Sequence, residues 1–336
     1  MKGKYLVGII AVIVAAAAAF AFIGLNGPTQ STPPERLVIA TTTSTVDTGL
    51  LDYLKPSFDN KFHANMTWLY LGTGQALAVA SRGDADILLV HDRVREDAFV
   101  KAGNGTHRVT VMYNDFVLIG PQDDPAGVKG MSNVTEAFKL IAAKGEAGKA
   151  TFVSRGDKSG TNALELRIWS SAKINTKGKP WYVEAGQGMG PTIKISNEKQ
   201  AYTVSDRGTW IKLKAEMGDN LKMQILVEGD KSLLNPYGII LLNAEKYPNI
   251  NSKLAEKFFL FMISDEGQGL IANYKVGGNQ LFFPIFGKPE QIGLPSEKSE
   301  VQYWAQQLTS NQMKPPNWVQ QIMAVAIPSL FTGDKN

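Results

Sequence analysis

Short apolar runs alternate with amphipathic helical patterns along most of this chain, and this alternation restricts its fold more than any other feature. The first three runs are RLVIAT (36–41), MTWLYL (66–71) and ADILLV (85–90). Between the first two, leucine and phenylalanine recur at helical spacing over 48–60, which predicts a βαβ unit. Strands separated by helices predict an α/β fold with a parallel sheet covered on both faces.

A long apolar segment and a second series of elements predict two lobes. The run VTVMYNDFVLIG at 109–120 is too long for an ordinary edge strand, so we expect it to lead into a crossover. A domain inserted between two crossovers is the simplest explanation of the second series. We predict that lobe one comprises 36–118 and 238–285, and that lobe two comprises 119–237. The ligand would lie in the interlobe cleft, at the carboxyl ends of strands, and 286–336 would form a C-terminal extension.

The N-terminal segment 1–26 predicts export or membrane attachment. Two lysines precede an unbroken apolar run of twenty residues, Leu6–Leu25, and a helix of that length spans a hydrocarbon core of about 30 Å. It is either a membrane anchor or a signal peptide, for which Ala19-Phe20-Ala21 offers a cleavage site. With a linker at 27–35, either alternative predicts an extracytoplasmic globular part.

Composition and motif spacing argue against catalysis. The chain has no cysteine, which excludes disulfides, thiolate nucleophiles and cysteine-bound metals. His63, His91 and His107 lack metal-ligand spacing, so each is expected to be structural or exposed. Neither a nucleophile elbow nor a phosphate-binding loop is present. From these absences we predict no enzyme activity, no cofactor and no bound metal. The net charge of only +4 predicts that the chain has no nucleic-acid partner.

Three loops that each join a strand to a helix predict an anion site. They are Thr41–Thr45, Gly72–Gln75 and Ser159–Thr161, and each offers hydroxyl donors and unpaired amides at a positive helix end. Thr73 is predicted as a donor from the second loop. Arg155 adds a guanidinium that can hold an oxyanion bidentately. Converging from two lobes, these groups would surround a tetrahedral oxyanion.

Several neighbouring residues have a simpler interpretation. Arg155 taken alone could form an ion pair with Asp157. We predict that Asp206-Arg207 is a structural ion pair or helix cap near the cleft, and that Gln187–Gly190 is a flexible glycine loop at the rim.

Motifs over most of the globular part resemble the tungstate-binding proteins that supply an ABC-type importer. The motifs, in the family's order, are TTTSTVDTGLLDYL (41–54), GTGQALAVASRGDADILLVH (72–91), VMYNDFVLIGPQDDPAG (111–127), SRGDKSGTNALELRIW (154–169), GQGMGPT (186–192), DRGTW (206–210) and NPYGII (235–240). This resemblance implies a two-lobed type II periplasmic-binding-protein fold with two crossovers, in agreement with the α/β organisation above.

The resemblance also implies ligand residues at the matched positions. Its TTTS and SRGDxSGT motifs supply oxyanion donors, which correspond here to Thr42, Thr43, Ser44, Arg155, Ser159, Gly160 and Thr161. The chain departs from the family at Asn162, where histidine is common, and in continuing beyond Phe283-Pro284 for some fifty residues. The extension could pack on lobe one or contact the membrane partner.

The function implied is capture of tungstate and its delivery to an ABC permease by a monomer attached to the membrane through its N-terminal helix or released after cleavage. The same fold could instead bind molybdate, sulfate or phosphate. An anchored oxyanion sensor and, less in keeping with the motifs, a phosphate-ester hydrolase are alternatives from other classes.

Overall fold

The computed structural model describes residues 32–326. The strands are β1 (Glu35–Thr42), β2 (Ala64–Leu71), β3 (Ile87–Val90), β4 (Gly105–Pro121), β5 (Phe152–Ser154), β6 (Tyr182–Glu184), β7 (Thr203–Asp206), β8 (Met223–Val227), β9 (Leu234–Leu242), β10 (Lys275–Val276), β11 (Asn279–Gln280) and β12 (Phe283–Pro284). The helices are α1 (Thr43–Asp47), α2 (Leu50–Phe62), α3 (Thr73–Ala80), α4 (Arg93–Lys101), α5 (Val134–Glu146), α6 (Gly160–Ser171), α7 (Met189–Lys199), α8 (Arg207–Met217), α9 (Ser252–Ile263), α10 (Asp265–Asn273), α11 (Lys298–Ser310) and α12 (Asn317–Ala326).

The predicted anchor or signal peptide at 1–26 lies outside the described residues, as does most of the predicted linker. Within 32–326, every helix is too short or too polar to cross a membrane.

The main sheet is mixed, so the prediction of a parallel sheet is wrong for most of its pairs. β1 and β3 are parallel, with Ile39 opposite Ile87. β9, however, runs antiparallel to both β3 and β4, and β4 runs antiparallel to β7, β8 and β12. Buried strands of either direction are continuous apolar runs, so the sequence pattern does not reveal strand direction.

β4 and β9 are the long strands that connect the two halves of the fold. The first part of β4 pairs with β9, from Gly105 opposite Leu242 to Asp115 opposite Leu234. The last part of β4 leaves β9 and pairs with β7 and β8, with Phe116 opposite Asp206. The predicted crossover at 109–120 therefore lies within a single strand of 17 residues.

The buried apolar residues form clusters that follow the predicted division of the chain. The buried residues of two clusters come from 37–112 and 237–323, and the partly buried Ile211 packs against one of them. The other two contain buried residues only from 116–233. The limits of the two predicted lobes stay a prediction, but Phe116–Leu118 pack in the second pair of clusters and Tyr237 packs in the first.

Two local predictions need correction. The threonine-rich segment after β1 is the short helix α1 rather than a loop, and Gly49 separates it from α2 as the N-cap of that helix. Gly49 has φ of +82°, a conformation that glycine adopts without steric cost. The predicted glycine loop at 187–190 is also shorter, because α7 begins at Met189 and buries Met189, Ile193 and Ser196 at helical spacing.

The C-terminal extension packs on the first pair of clusters. Trp304, Leu308 and Val319 are buried in the same cluster as Phe259, and the Trp304 and Phe259 rings lie 4.3 Å apart. A buried carboxylate adds a polar connection: Glu297 accepts hydrogen bonds from the Thr110 backbone N–H and hydroxyl, each at 2.8 Å, and pairs with Arg108.

Glu297→Ala is expected to lower the free energy of unfolding by about 3 kcal/mol, because it removes one of the two carboxylates that face the buried Arg108 guanidinium. Urea unfolding followed by tryptophan fluorescence measures the change. Glu290→Ala is the matched control, since Glu290 is exposed. Equal stabilities of the two variants would contradict the proposed connection.

Candidate functional site

Six of the eight predicted site residues line one small internal cavity. Its volume is about 10 Å³, and its walls come from the ends of five strands and the starts of two helices. The lining residues are Thr42, Leu71, Gly72, Thr73, His91, Phe116, Arg155, Ser159, Gly160, Thr161 and Asp206. Sites for organic ligands usually measure about 300–1,000 Å³, so this cavity suits a compact ligand of a few atoms.

The cavity has many hydrogen-bond donors but little room for water. Gly160 and Thr161 are in the first turn of α6, where backbone N–H groups have no partner within the helix. Thr73 begins α3, so a second positive helix end faces the same space. A volume of about 10 Å³ is at the lower limit for one water molecule, so an ion bound here would exchange its hydration shell for protein donors.

Arg155 is held at the cavity by its own loop. Its Nη2 pairs with Asp157 Oδ2 at 2.5 Å, and its Nη1 donates to the Thr161 hydroxyl at 3.3 Å. Asp157 also accepts from the Ser159 backbone N–H at 3.1 Å. The ion pair with Asp157, one of the interpretations left open by the sequence, is thus present and orients Arg155 within the cavity wall.

Unsatisfied polar atoms concentrate at this cavity. Within 32–326, four buried side-chain nitrogen or oxygen atoms lack a hydrogen-bond partner: Thr73 Oγ1, His91 Nδ1, Arg155 Nε and Arg108 Nη2. The first three belong to residues that line the cavity, whereas Arg108 Nη2 lies 2.7 Å from Glu96. Because an unmade hydrogen bond of a buried group costs about 1–3 kcal/mol, these three atoms indicate a polar ligand.

The remaining predicted residues have mixed placements. Ser159 caps α6, because its hydroxyl accepts from the Asn162 backbone N–H. The side chains of Thr43 and Ser44 lie outside the described atoms, although both residues belong to α1. Asn162, where the family commonly has histidine, is buried and donates to the Ser154 hydroxyl at 3.2 Å, so it supports the loop from behind.

The sequence analysis missed His91 as a residue of the cavity. His91 follows β3, is 9% exposed, and lies with its ring centroid 4.9 Å from that of Tyr237. Burial lowers its pKa to about 3, so the imidazole is neutral. Its position directly after a buried strand could have indicated a site residue. A single histidine, however, has no partner at a fixed spacing that would mark it as a ligand.

Asp206 was predicted as a cap or ion-pair partner, and the structure shows the cap. Its carboxylate accepts from the Thr209 backbone N–H at 2.8 Å and the Thr209 hydroxyl at 2.7 Å. Arg207 pairs with Asp115 instead. Asp206 also lines the cavity, and burial raises the pKa of its carboxyl.

An open cleft of about 570 Å³ adjoins the cavity. Leu71, Gly72 and Arg155 line both spaces, so they separate the inner cavity from the cleft. Gly186, Gln187 and Gly188 line the outer cleft, and the last two belong to the predicted glycine loop at 187–190. The cleft and the cavity therefore lie on opposite sides of a wall that includes Arg155.

A larger cavity of about 810 Å³ lies beside the C-terminal extension, between the segment at 287–302 and α12. It is mainly apolar and includes none of the unsatisfied polar atoms described above. In the described part of the chain, moreover, His, Cys, Asp and Glu side chains do not form a group of three that could hold a metal ion. The small polar cavity is therefore the candidate site.

The fold has two sets of apolar clusters joined by long strands, and a donor-lined cavity lies at the strand ends. These features define the class of proteins that bind a small solute between two lobes. Residues 27–266 match the PBP superfamily domain. The chain belongs to this superfamily, and the fold class implied by the resemblance is confirmed.

Relatives with assigned ligands are similar over most of the chain. A putative ABC transporter anion-binding protein of Haloferax volcanii is 45% identical over 80% of this chain and 84% of its own. The tungstate-binding protein TupA of Peptoclostridium acidaminophilum is 43% identical over 74% of this chain and 84% of its own. The solved structure of TupA from Desulfovibrio alaskensis G20 is 47% identical, covers 74% of this chain and 98% of its own, and superposes with a TM-score of 0.67. These relatives are solute-binding proteins, and the predicted resemblance to tungstate-binding proteins is confirmed.

A buried carboxyl behind the site predicts a pH-dependent stability. Glu165 on α6 accepts hydrogen bonds from Ser154 at 2.6 Å and Tyr182 at 2.7 Å, yet burial raises its pKa to about 7. The folded state therefore holds the proton of the Glu165 carboxyl more tightly than the unfolded chain does. The resulting contribution to the free energy of unfolding is fully present below the unfolded pKa near 4.5 and is lost as pH rises to about 7.

Glu165→Gln is therefore expected to remove this dependence. Relative to the variant, the wild type should lose about 3 kcal/mol of unfolding free energy between pH 4.5 and 7 and little more above it. Urea denaturation at several pH values measures the difference, and Glu290→Gln at an exposed position is the control. Parallel pH profiles of wild type and Glu165→Gln would contradict the prediction.

Proposed function

We propose that this protein captures tungstate outside the cytoplasm and delivers it to an ABC-type permease. The observation that carries the proposal is the cluster of three unpaired, buried polar atoms around a cavity of a few atoms' size. The similarity to tungstate-binding proteins at 43–47% identity supports the choice of ligand.

The proposed ligand donors are the eight residues predicted from the sequence: Thr42, Thr43, Ser44, Thr73, Arg155, Ser159, Gly160 and Thr161. Hydroxyl groups, first-turn amides and one guanidinium would replace the hydration shell of the dianion. Arg155 has an unused Nε–H, and Thr73 has an unused hydroxyl, so both can donate without giving up existing hydrogen bonds.

Selectivity would follow from the fixed positions of these donors. A smaller oxyanion such as sulfate would not reach all of them at once, and each buried donor left unmade costs about 1–3 kcal/mol. Hydrogen phosphate also requires an acceptor. Acceptors in the described cavity wall include the Asp206 carboxylate, which also accepts two hydrogen bonds from Thr209, and the unpaired Nδ1 of His91, so discrimination against phosphate would depend on the positions of the donors.

Capture would proceed by closure of two lobes, 36–118 with 238–285 and 119–237, around the anion. The crossover strands β4 and β9 would act as the hinge, and the closed form would present itself to the permease. We further propose that the protein is a monomer without enzyme activity. Segment 1–26 would attach it to the membrane or direct its export.

Calorimetric titration of a soluble form beginning near Ser31 tests the proposal with tungstate, molybdate, sulfate and phosphate. Tungstate is expected to bind most tightly. Arg155→Ala should weaken binding by about 30- to 3,000-fold, because loss of a buried charged partner costs about 2–5 kcal/mol. The affinity of Arg155→Lys should lie between those of the wild type and Arg155→Ala, since lysine keeps the positive charge but lacks the planar set of donors.

Arg82→Ala is the matched control for Arg155→Ala, because Arg82 is exposed and forms its ion pair with the exposed Asp84. If Arg155→Ala binds tungstate as tightly as the wild type, the anion does not bind in this cavity. Binding of sulfate or phosphate alone would overturn the choice of tungstate.

Gly160→Ala is expected to weaken tungstate binding by at least tenfold. A Cβ atom at this position would lie 2.2 Å from Cε1 of His91, and the buried His91 ring is enclosed by Tyr237 and Phe116, so α6 would have to move away from the cavity. Gly269→Ala in α10 is the control, because its Cβ would meet no atom within 4 Å. Equal affinities for the two variants would show that this close approach is not needed for binding.

A further inference from the structure

The wall of the inner cavity carries little positive charge for a dianion. Arg155 is the single cation among the described lining residues, and it is already paired with Asp157. Asp206 places a buried carboxyl in the same wall. A dianion would therefore add two negative charges to a site with no formal positive excess, and burying uncompensated charge is costly. A proton taken up with the anion would reduce this imbalance.

His91 has the free position for such a proton. Its Nδ1 is buried and has no hydrogen-bond partner, and the residue lines the cavity. A Cβ on Gly160 would lie 2.7 Å from this nitrogen, so the ring edge that contains Nδ1 faces the first turn of α6, beside the predicted donors. The rings of Tyr237 and Phe116, at 4.9 and 6.4 Å, pack around the imidazole.

A chain of side-chain amides determines which ring nitrogen carries the proton. Asn235 Nδ2 donates to Asn114 Oδ1 at 2.8 Å, and Asn114 Nδ2 donates to the Tyr237 hydroxyl at 3.3 Å. Asn235 also hydrogen-bonds to the imidazole. Because Nδ1 has no hydrogen-bond partner and Asn235 Nδ2 already donates to Asn114, we infer that Nε2–H donates to Asn235 Oδ1. The neutral ring therefore presents the lone pair of Nδ1.

We propose that His91 is a ligand of the bound anion and that Nδ1 takes up one proton from solvent as the anion enters. The inference rests on the proposed function and deepens it. A lone pair at Nδ1 would repel an oxyanion oxygen, whereas Nδ1–H donates a charge-assisted hydrogen bond and adds one positive charge. Only this N–H bond forms, and the proton comes from water or buffer.

The surroundings of His91 set the direction of the pH dependence. In the empty site, burial lowers the pKa of His91 to about 3, with further lowering by Arg155 and Arg167 and an opposing contribution from Asn235. A dianion beside Nδ1 raises this pKa, so binding tightens as pH falls towards and below the pKa of the complex. Charged side chains on the elements around the ring include Asp92 and Glu96 after β3, Arg108 and Asp115 on β4, Glu165 and Arg167 on α6, and Arg155, Asp157 and Asp206 at the other strand ends, whereas β9 contributes none.

Titration of tungstate into the full protein in buffers of different ionisation enthalpy, at pH 7 and pH 8, counts the protons taken up. The wild type is expected to take up close to one proton per anion and to bind up to tenfold more weakly at pH 8 than at pH 7. His91→Gln keeps a neutral donor but cannot titrate there, so it should bind more weakly at pH 7 and without proton uptake. His63→Asn, at the C-terminal end of α2, is the control and should match the wild type.

Nitrogen-15 NMR of the wild type gives a second measurement that does not depend on a variant. The protein has three histidines, and one of them should change from a neutral ring to an imidazolium on addition of tungstate. Tight binding without proton uptake would overturn the role of His91 and leave the proposed function intact. Proton uptake that persists in His91→Gln and disappears in Asp206→Asn would assign the proton to Asp206 instead. No binding of tungstate by the wild type would overturn the proposed function itself.

Discussion

The pairing of β4 with β9 is the constraint on which the rest of the structure depends. Antiparallel hydrogen bonds join the two strands from Gly105 to Asp115, and both strands are buried for most of their length. β3 is attached through β9, and β7 and β8 are attached through the far end of β4. Each half of the molecule therefore has its own apolar clusters, and the strands β4 and β9 run from one half into the other.

This arrangement explains why the donors meet. β1 ends at Thr42, His91 directly follows β3, and β2 leads through Gly72 into α3, so one half presents three strand ends at one edge. β5 and β7 end near Arg155 and Asp206 in the other half. Two of the helices that follow these strands, α3 and α6, begin at the cavity, and the unpaired amides of their first turns lie there. The same geometry that packs helices against the sheet thus concentrates hydrogen-bond donors at one point.

The close approach of His91 to Gly160 connects the two halves across the cavity. Only a residue without Cβ permits the imidazole to lie on the first turn of α6 at the observed distance. The ring is kept neutral by burial. Its hydrogen-bond partner Asn235 is in turn bonded to Asn114, and neither of these two residues lines the cavity. Charge at the site is therefore controlled by residues behind it as well as by Arg155.

The sequence by itself determined the elements that local patterns encode: the strands and helices of the βαβ unit, the strand-to-helix junctions with their hydroxyls, and Arg155 beside the third of them. These features depend on residues close together in the chain, so periodicity and motif spacing reveal them. Only the tertiary structure decided the antiparallel direction of β9 against β3, the docking of Glu297 on Thr110, and the presence of His91 and Asp206 in the cavity wall. Strand direction and the meeting of distant side chains depend on contacts between segments up to about two hundred residues apart, and a single sequence contains no local signal for such contacts.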